Sequence, residues 1–317
     1  MQTITKAVLG FIPDFQQNGK PLEDYRYCQI VRGYLPSGVP ILVKMVGGEL
    51  NNYLAEEKRK IVLDNLYLDM VTYHNALMQC GVGVSEFYEV HRTDSTIFEV
   101  TIDGGMNLSG LLQRCSFYEG EKLIKWMIES IVPVLENPDI GIDAKPVNFT
   151  IYKEKMRYID FIPPRFKKGK DYLVGIPQPP QSDSIVPFLY KRYYEPEGIL
   201  RRMWFSITTQ SKDYEDLFFE LVYGIIPQKL VLGVKNYFAE LPFNKVRKLR
   251  NKKEIVDIIE SFDNKSNIDD IREVATLFFP PRTLSWIDSL TSIDLFRPED
   301  ERQHQVDEAK KLIIGAV

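Results

Sequence analysis

The sequence predicts an α+β protein, with a small antiparallel sheet and one helix first and a mainly helical remainder after it. Three observations carry this. Short β-branched and aromatic runs separated by turn residues fill the chain up to about residue 103. Helical spacing of apolar residues dominates from about residue 107 onward, apart from one short strand-like interruption. The length, 317 residues, is about twice that of a usual single domain, so two compact units are expected.

The elements follow in order. Runs at 4–12, 27–35 and 39–46 read as strands, and the last two flank Pro36-Ser37-Gly38, so they form an antiparallel hairpin. Region 50–79 carries Leu63, Leu66, Met70, Tyr73 and Leu77 at helical spacing, and Gly81-Val82-Gly83-Val84 ends it. Strands at 86–90 and 96–102 are linked by the polar stretch Arg92-Thr93-Asp94-Ser95, and Gly104-Gly105 makes a hinge. Helices are then expected at 107–115 and 118–135, the second burying Leu123, Trp126, Met127, Ile131 and Val134. Segment 141–162 reads loop, strand, polar turn, strand. A proline-rich irregular stretch covers 163–187, and helical patterns resume through 188–317, including 214–226 and 253–261. Trp204 and Trp286 are expected in the core.

Composition narrows the function classes. The chain is 44% hydrophobic, 12% aromatic and 26% charged, which is ordinary for a globular protein and too apolar for disorder. Forty basic against 44 acidic side chains leave a net charge of −4, which argues against a nucleic-acid partner, because neutralising phosphates needs a basic excess. No apolar stretch approaches the roughly 18 to 20 residues of a membrane span. Cys28, Cys80 and Cys115 are far apart, without metal-site spacing, and read as reduced thiols in a cytoplasmic protein. His74, His91 and His304 have no partners in sequence, so a histidine triad or zinc site has little to build on. The basic stretches 165–170 and 245–253 read as solvated surface.

The informative segment is Asp143-Ala144-Lys145-Pro146-Val147-Asn148, a polar loop before an apolar strand. Twelve residues after Asn148, Asp160 closes a second apolar run. A hairpin through Lys153-Glu154-Lys155 brings Asn148 and Asp160 to one end, close to Asp143 and Lys145. Two carboxylates and an amide oxygen suit magnesium, whose shell substrate phosphates complete. An ammonium beside them neutralises charge on a transferring phosphoryl group.

This arrangement resembles the catalytic core of protein-kinase-like and aminoglycoside-phosphotransferase-like enzymes. Asp143, Lys145, Pro146 and Asn148 match the D-x-K-P-x-N catalytic loop, and Asp160-Phe161 matches the start of the metal-binding D-F-G element. The resemblance implies a bilobal fold, with lobes at 1–103 and 104–317 sharing one cleft. It implies Lys44, in Val39-Pro40-Ile41-Leu42-Val43-Lys44, as the lysine that holds nucleotide phosphates. It also implies an acid on the following helix that pairs with Lys44: Asp69, with Glu57 and Asp64 as alternatives. Asp103, at the Gly104-Gly105 hinge, is implied in nucleotide binding. Asp143 becomes the catalytic base, Lys145 the phosphoryl stabiliser, Asn148 and Asp160 the magnesium ligands, and ATP and Mg2+ the cofactors.

The departures point to the acceptor class. Span 22–32 holds no glycine, so no glycine-rich loop precedes Lys44. Gly141-Ile142-Asp143 stands where H-x-D is usual, and Ile162 stands where the D-F-G glycine would be. The expected activity is therefore phosphoryl transfer from ATP to a hydroxyl of a small molecule. The alternative is a catalytically silent kinase-like binding or regulatory protein.

Overall fold

A computed structural model describes residues 12, 16–17, 28–46, 55–86, 88–162, 191–262, 268–279 and 299–317. The strand run expected at 4–12 (Ile12 apart), the proline-rich stretch, the basic residues 165–170 and Trp286 lie outside these. The chain divides into two compact units, Met1–Pro177 and Gln178–Val317. The expected lobe boundary at residue 103 falls inside the first.

The first unit is built on a five-stranded antiparallel sheet. Its strands are β1 (Gln16–Gln17), β2 (Cys28–Tyr34), β3 (Pro40–Val46), β4 (Tyr88–Arg92) and β5 (Ile97–Ile102). Their order across the sheet is β1-β2-β3-β5-β4. The 25-residue helix α1 (Glu56–Cys80) joins β3 to β4, so β5 can slot between them. β4 begins two residues later than the sequence predicts.

Both sheet faces are covered, and alternation along the strands sorts the side chains. Ile41, Val43, Phe98 and Val100 pack with Val31 and Ile12 on one face. On the other, Val46 and Ile97 pack against Val62, Leu63, Leu66 and Met70 of α1. Lys44 and Glu99 share the parity of this second set, so both point toward the α1 side. The α1 positions at spacings of three and four are the buried ones, as the apolar periodicity requires. Gly81 caps the helix in the left-handed region at φ 97°, a conformation that costs glycine little.

Helices α2 (Leu108–Leu112) and α3 (Phe117–Leu135) follow. Asn107 caps α2 through Gly110 N–H, and Ser116 with Glu119 forms a reciprocal capping box on α3. The buried stripe of α3 runs through Ile124, Met127, Ile128, Ile131, Val134 and Leu135. This corrects the expected face: Leu123 and Trp126 are only half-buried, and the Lys122 ammonium lies 4.7 Å above the Trp126 ring.

Next, β6 (Phe149–Tyr152) and β7 (Lys155–Tyr158) form a separate hairpin. Lys153 and Glu154 make its two-residue turn, both with positive φ, the backbone twist that favours tight hairpins. The Val82–Val84 loop closes over this hairpin: Tyr158 N–H donates to Gly83 O at 2.8 Å, and Val84 bridges to Tyr158. A Cβ on Gly83 would lie 2.6 Å from Met156 O. Gly83→Ala must therefore separate two backbones, and we expect a loss of about 1–3 kcal/mol, read as a lowered urea midpoint with unchanged m-value.

The second unit is helical among its described residues: α4 (Pro196–Thr208), α5 (Tyr214–Ile225), α6 (Gln228–Glu240), α7 (Pro242–Lys248), α8 (Lys252–Glu260), α9 (Ile268–Ala275) and α10 (Glu299–Ala316). Trp204 is buried, as expected, with ring contacts to Phe238 at 5.7 Å and Phe243 at 5.2 Å. Beside it on α4, Arg201 enters a buried ion cluster with Asp270 and Glu273 of α9. The basic residues of 245–253 are mostly exposed, in accord with a solvated surface. No helix among the described residues is long and apolar enough to cross a membrane.

Candidate functional site

Four segments of the first unit build the site. Lys44 comes from β3, Glu99 from β5, Asp143 to Asn148 from the loop before β6, and Asp160 from just beyond β7.

The loop is held by its own backbone and by its neighbours. Asp143 O accepts from Lys145 N–H at 2.8 Å and from Asn148 Nδ2 at 2.9 Å. Pro146 opens a single 3₁₀ turn through Asn148, whose N–H donates to Lys145 O. Ile159 N–H donates to Asn148 O at 2.9 Å, which ties the loop to the chain entering Asp160. Tyr73 on α1 donates its hydroxyl to Gly141 O at 2.7 Å. That bond braces the loop from the helix, although sequence reasoning took Tyr73 only for core. Phe161, fully buried, meets the edges of His74 and Tyr88, which stack on each other at 4.1 Å. Asp160 is thus flanked by an anchored residue on each side.

The charges converge around Lys44, whose side chain is 9% exposed. Its ammonium donates to Ile159 O at 2.5 Å, lies 3.3 Å from Glu99 Oε1 and 3.7 Å from Asp160 Oδ1. Lys145 pairs with Asp143 at 3.0 Å. Burial pushes the Asp160 carboxyl up; Lys44 opposes this and the Asp143 charge adds to it. Burial also pushes Glu99 up to about 7, against the pull of Lys44. Glu99, fully buried, and Asp160, partly buried, flank the Lys44 ammonium, and Lys145 places a second positive charge near Asp160.

Asp160, Asn148 and Asp143 carry the side-chain oxygens that could serve a hard metal ion here, on a loop and a strand end tied together by the Ile159 N–H to Asn148 O bond. Among the described residues no group of three or more His, Cys, Asp or Glu is arranged to hold a metal by itself. A hard ion that takes one or two carboxylates and completes its shell with substrate oxygens fits this set better than a fully protein-ligated one.

The other sequence-predicted positions have different neighbours. Asp103 pairs with Arg32 at 3.0 Å and accepts from Gly105 N–H at 2.8 Å, while Arg32 donates to Gly105 O. Its carboxylate closes the turn at Gly104-Gly105, and its N–H donates to Pro40 O. Asp69 is half-buried on α1, Asp64 pairs with Arg92 at 2.6 Å, and Glu57 is exposed in the first turn of α1. The acid directly across the sheet from Lys44 is Glu99, its register partner on β5. The alternation of β5 carried the signal: Glu99 breaks an otherwise apolar Ile97-Phe98-Glu99-Val100 run.

Comparison with protein-family models and with curated proteins gives no match to this chain.

Proposed function

We propose that the chain is an ATP- and magnesium-dependent phosphotransferase of protein-kinase-like, bilobal architecture that acts on a hydroxyl of a small molecule. The observation that carries this reading is the ion pair of Lys44 with Asp160, beside the Asp143–Lys145 pair. Residues selected by loop spacing alone come together with one from a strand far upstream. The strand order β1-β2-β3-β5-β4, with a long helix between β3 and β4, supports the same architecture.

In this reading Lys44 binds the nucleotide phosphates. Asp143 accepts the proton of the acceptor hydroxyl as its oxygen bonds to the terminal phosphorus and the bond to the departing diphosphate oxygen breaks. Lys145, tethered to Asp143, stabilises the negative charge on the transferring group. Asn148 and Asp160 would hold magnesium, which supplies positive charge against the phosphate oxygens. Positioning and electrostatics carry the reaction, so five anchored side chains suffice.

The rival is a catalytically silent kinase-like module, favoured by the way Lys44 already donates to Ile159 O and faces two carboxylates. A thermal-shift titration separates the readings. ATP with magnesium at 100 times its Kd should stabilise the protein by about 2.7 kcal/mol, and turnover should release ADP in the presence of acceptor. No shift overturns the phosphotransferase reading, and a shift with no ADP release across a panel of hydroxyl compounds favours the silent one.

A further inference from the structure

The passage from α7 to α8 gathers positive charge that folding does not call for. Six of the nine residues 245–253 are basic. Two of them are paired: Lys245 reaches Glu240 at 2.7 Å, and Arg247 reaches Glu215. Lys248, Arg250, Lys252 and Lys253 are exposed, and none of the four makes an ion pair with a described residue. Lys248 closes α7, where a cation suits the negative pole of the helix. Lys252 and Lys253 instead open α8, whose positive pole repels them, and Arg250 adds a like charge just before them. Glu254 is the acid in that turn, and it accepts from Asn251 Nδ2 at 3.3 Å. Segment 228–253 holds eight of the 40 basic side chains and one of the 44 acidic ones, which leaves the rest of the chain strongly acidic. Positive charge concentrated this way, at a cost in stability, marks a surface that attracts an anion.

The kinds of anion differ in what they need beside the cations. A single-stranded nucleic acid stacks its bases on exposed rings, and an anionic bilayer takes apolar side chains that dip below its headgroups. None of the exposed large apolar side chains among the described residues lies in 241–260, and Phe243 is buried. A long strand or a bilayer would also reach past the patch and meet the acidic remainder. Lys248 and Lys253 are at most about 18 Å apart along the chain, the reach of about five residues of extended peptide. We propose that this surface docks a short acidic segment of a partner protein, whose Asp and Glu carboxylates pair with Lys248, Arg250, Lys252 and Lys253. The proposal stands apart from the phosphotransferase reading and does not depend on it.

Fluorescence anisotropy of a labelled, Glu- and Asp-rich synthetic peptide with the full chain tests this. At about 0.15 M salt the wild type should bind the peptide, and about 0.5 M salt should weaken binding roughly tenfold. The combined variant Lys248→Gln, Arg250→Gln, Lys252→Gln and Lys253→Gln should bind roughly ten- to hundredfold more weakly, the loss of four exposed ion pairs. It should melt no lower than wild type, because charges that repel one another and the α8 pole are gone. Lys252→Gln with Lys253→Gln serves if the combined variant fails to fold, and should show part of the loss. A control with Lys122→Gln, Lys125→Gln, Lys153→Gln and Lys155→Gln removes as much charge from other exposed positions and should keep wild-type affinity. No peptide binding by the wild type, or an equal loss in the control, overturns the proposal. Tighter binding, lost in the same combined variant, to phosphatidylserine vesicles or to a single-stranded oligonucleotide also overturns it and assigns the surface to that polyanion. Salt-sensitive self-association through these residues, read by light scattering, overturns it in favour of a second copy of the chain.

Discussion

Arg201→Met should destabilise the protein by about 3–5 kcal/mol, the cost of leaving buried acids without their cation. Arg201 donates to Glu273 through Nε at 2.6 Å and Nη2 at 2.8 Å, a two-pronged contact, and Nη2 also reaches Asp270 at 2.6 Å. Tyr237 receives Nη1 at 3.2 Å. Glu273 and Asp270 are both buried, at 1% and 6% exposure, so water does not replace the arginine. Methionine fills most of the volume but leaves both charges facing low-dielectric surroundings. Burial pushes Glu273 up to about 8, against the pull of Arg201. Without Arg201 that carboxyl rises further, so the variant is least stable above about pH 8 and recovers as protonation removes the charge. Urea unfolding at several pH values reads both effects. Arg201→Met combined with Glu273→Leu should regain part of the loss, because paired removal of a buried ion pair costs far less than removal of one partner. A single substitution within about 0.5 kcal/mol of wild type would show that α4 and α9 do not depend on this cluster.

Locality decides what the sequence disclosed. Asp143, Lys145, Asn148 and Asp160 lie within eighteen residues of one another, and a hairpin with a short polar turn fixes their proximity before any tertiary contact forms. Lys44 was legible only through the resemblance of residues 39–44 to a phosphate-binding strand, because a lone strand lysine otherwise reads as a solvated edge residue. The two residues that were missed reach the site only through long-range contacts. Glu99 sits in a strand where a polar position reads as facing solvent, and only the insertion of β5 between β3 and β4 turns it toward Lys44. Tyr73 has the spacing of a core residue and is one; its hydroxyl bond to Gly141 depends on where the loop before β6 arrives. Trp126 fails for a related reason. It lies at the edge of the apolar stripe of α3, and the neighbouring elements cover the Ile124–Ile128 side instead. Periodicity gives the width of a helix face but not which edge its neighbours cover.

Asp143→Asn and Asp160→Asn should separate catalysis from binding at the candidate site. Asparagine at 143 keeps size and shape but cannot take a proton, so kcat should fall by about 10²–10⁴-fold. Nucleotide affinity should remain, because the loop geometry rests on the Asp143 backbone oxygen, which accepts from Lys145 N–H and Asn148 Nδ2, and not on the carboxylate. Asparagine at 160 acts differently. Burial and Asp143 both disfavour charge at this position, so removing that charge should leave the ligand-free protein as stable as wild type or more so. It removes a hard anionic ligand, however, so stabilisation by ATP should lose its dependence on magnesium. Melting temperatures with nucleotide alone, with metal alone and with both give this contrast without any assay of turnover. A folded Asp160→Asn protein that keeps its full magnesium-dependent shift and full activity would sink the assignment of Asp160. A folded Asp143→Asn protein that turns over at the wild-type rate would move the base elsewhere, because Asp143 is the only carboxylate the 141–148 loop carries.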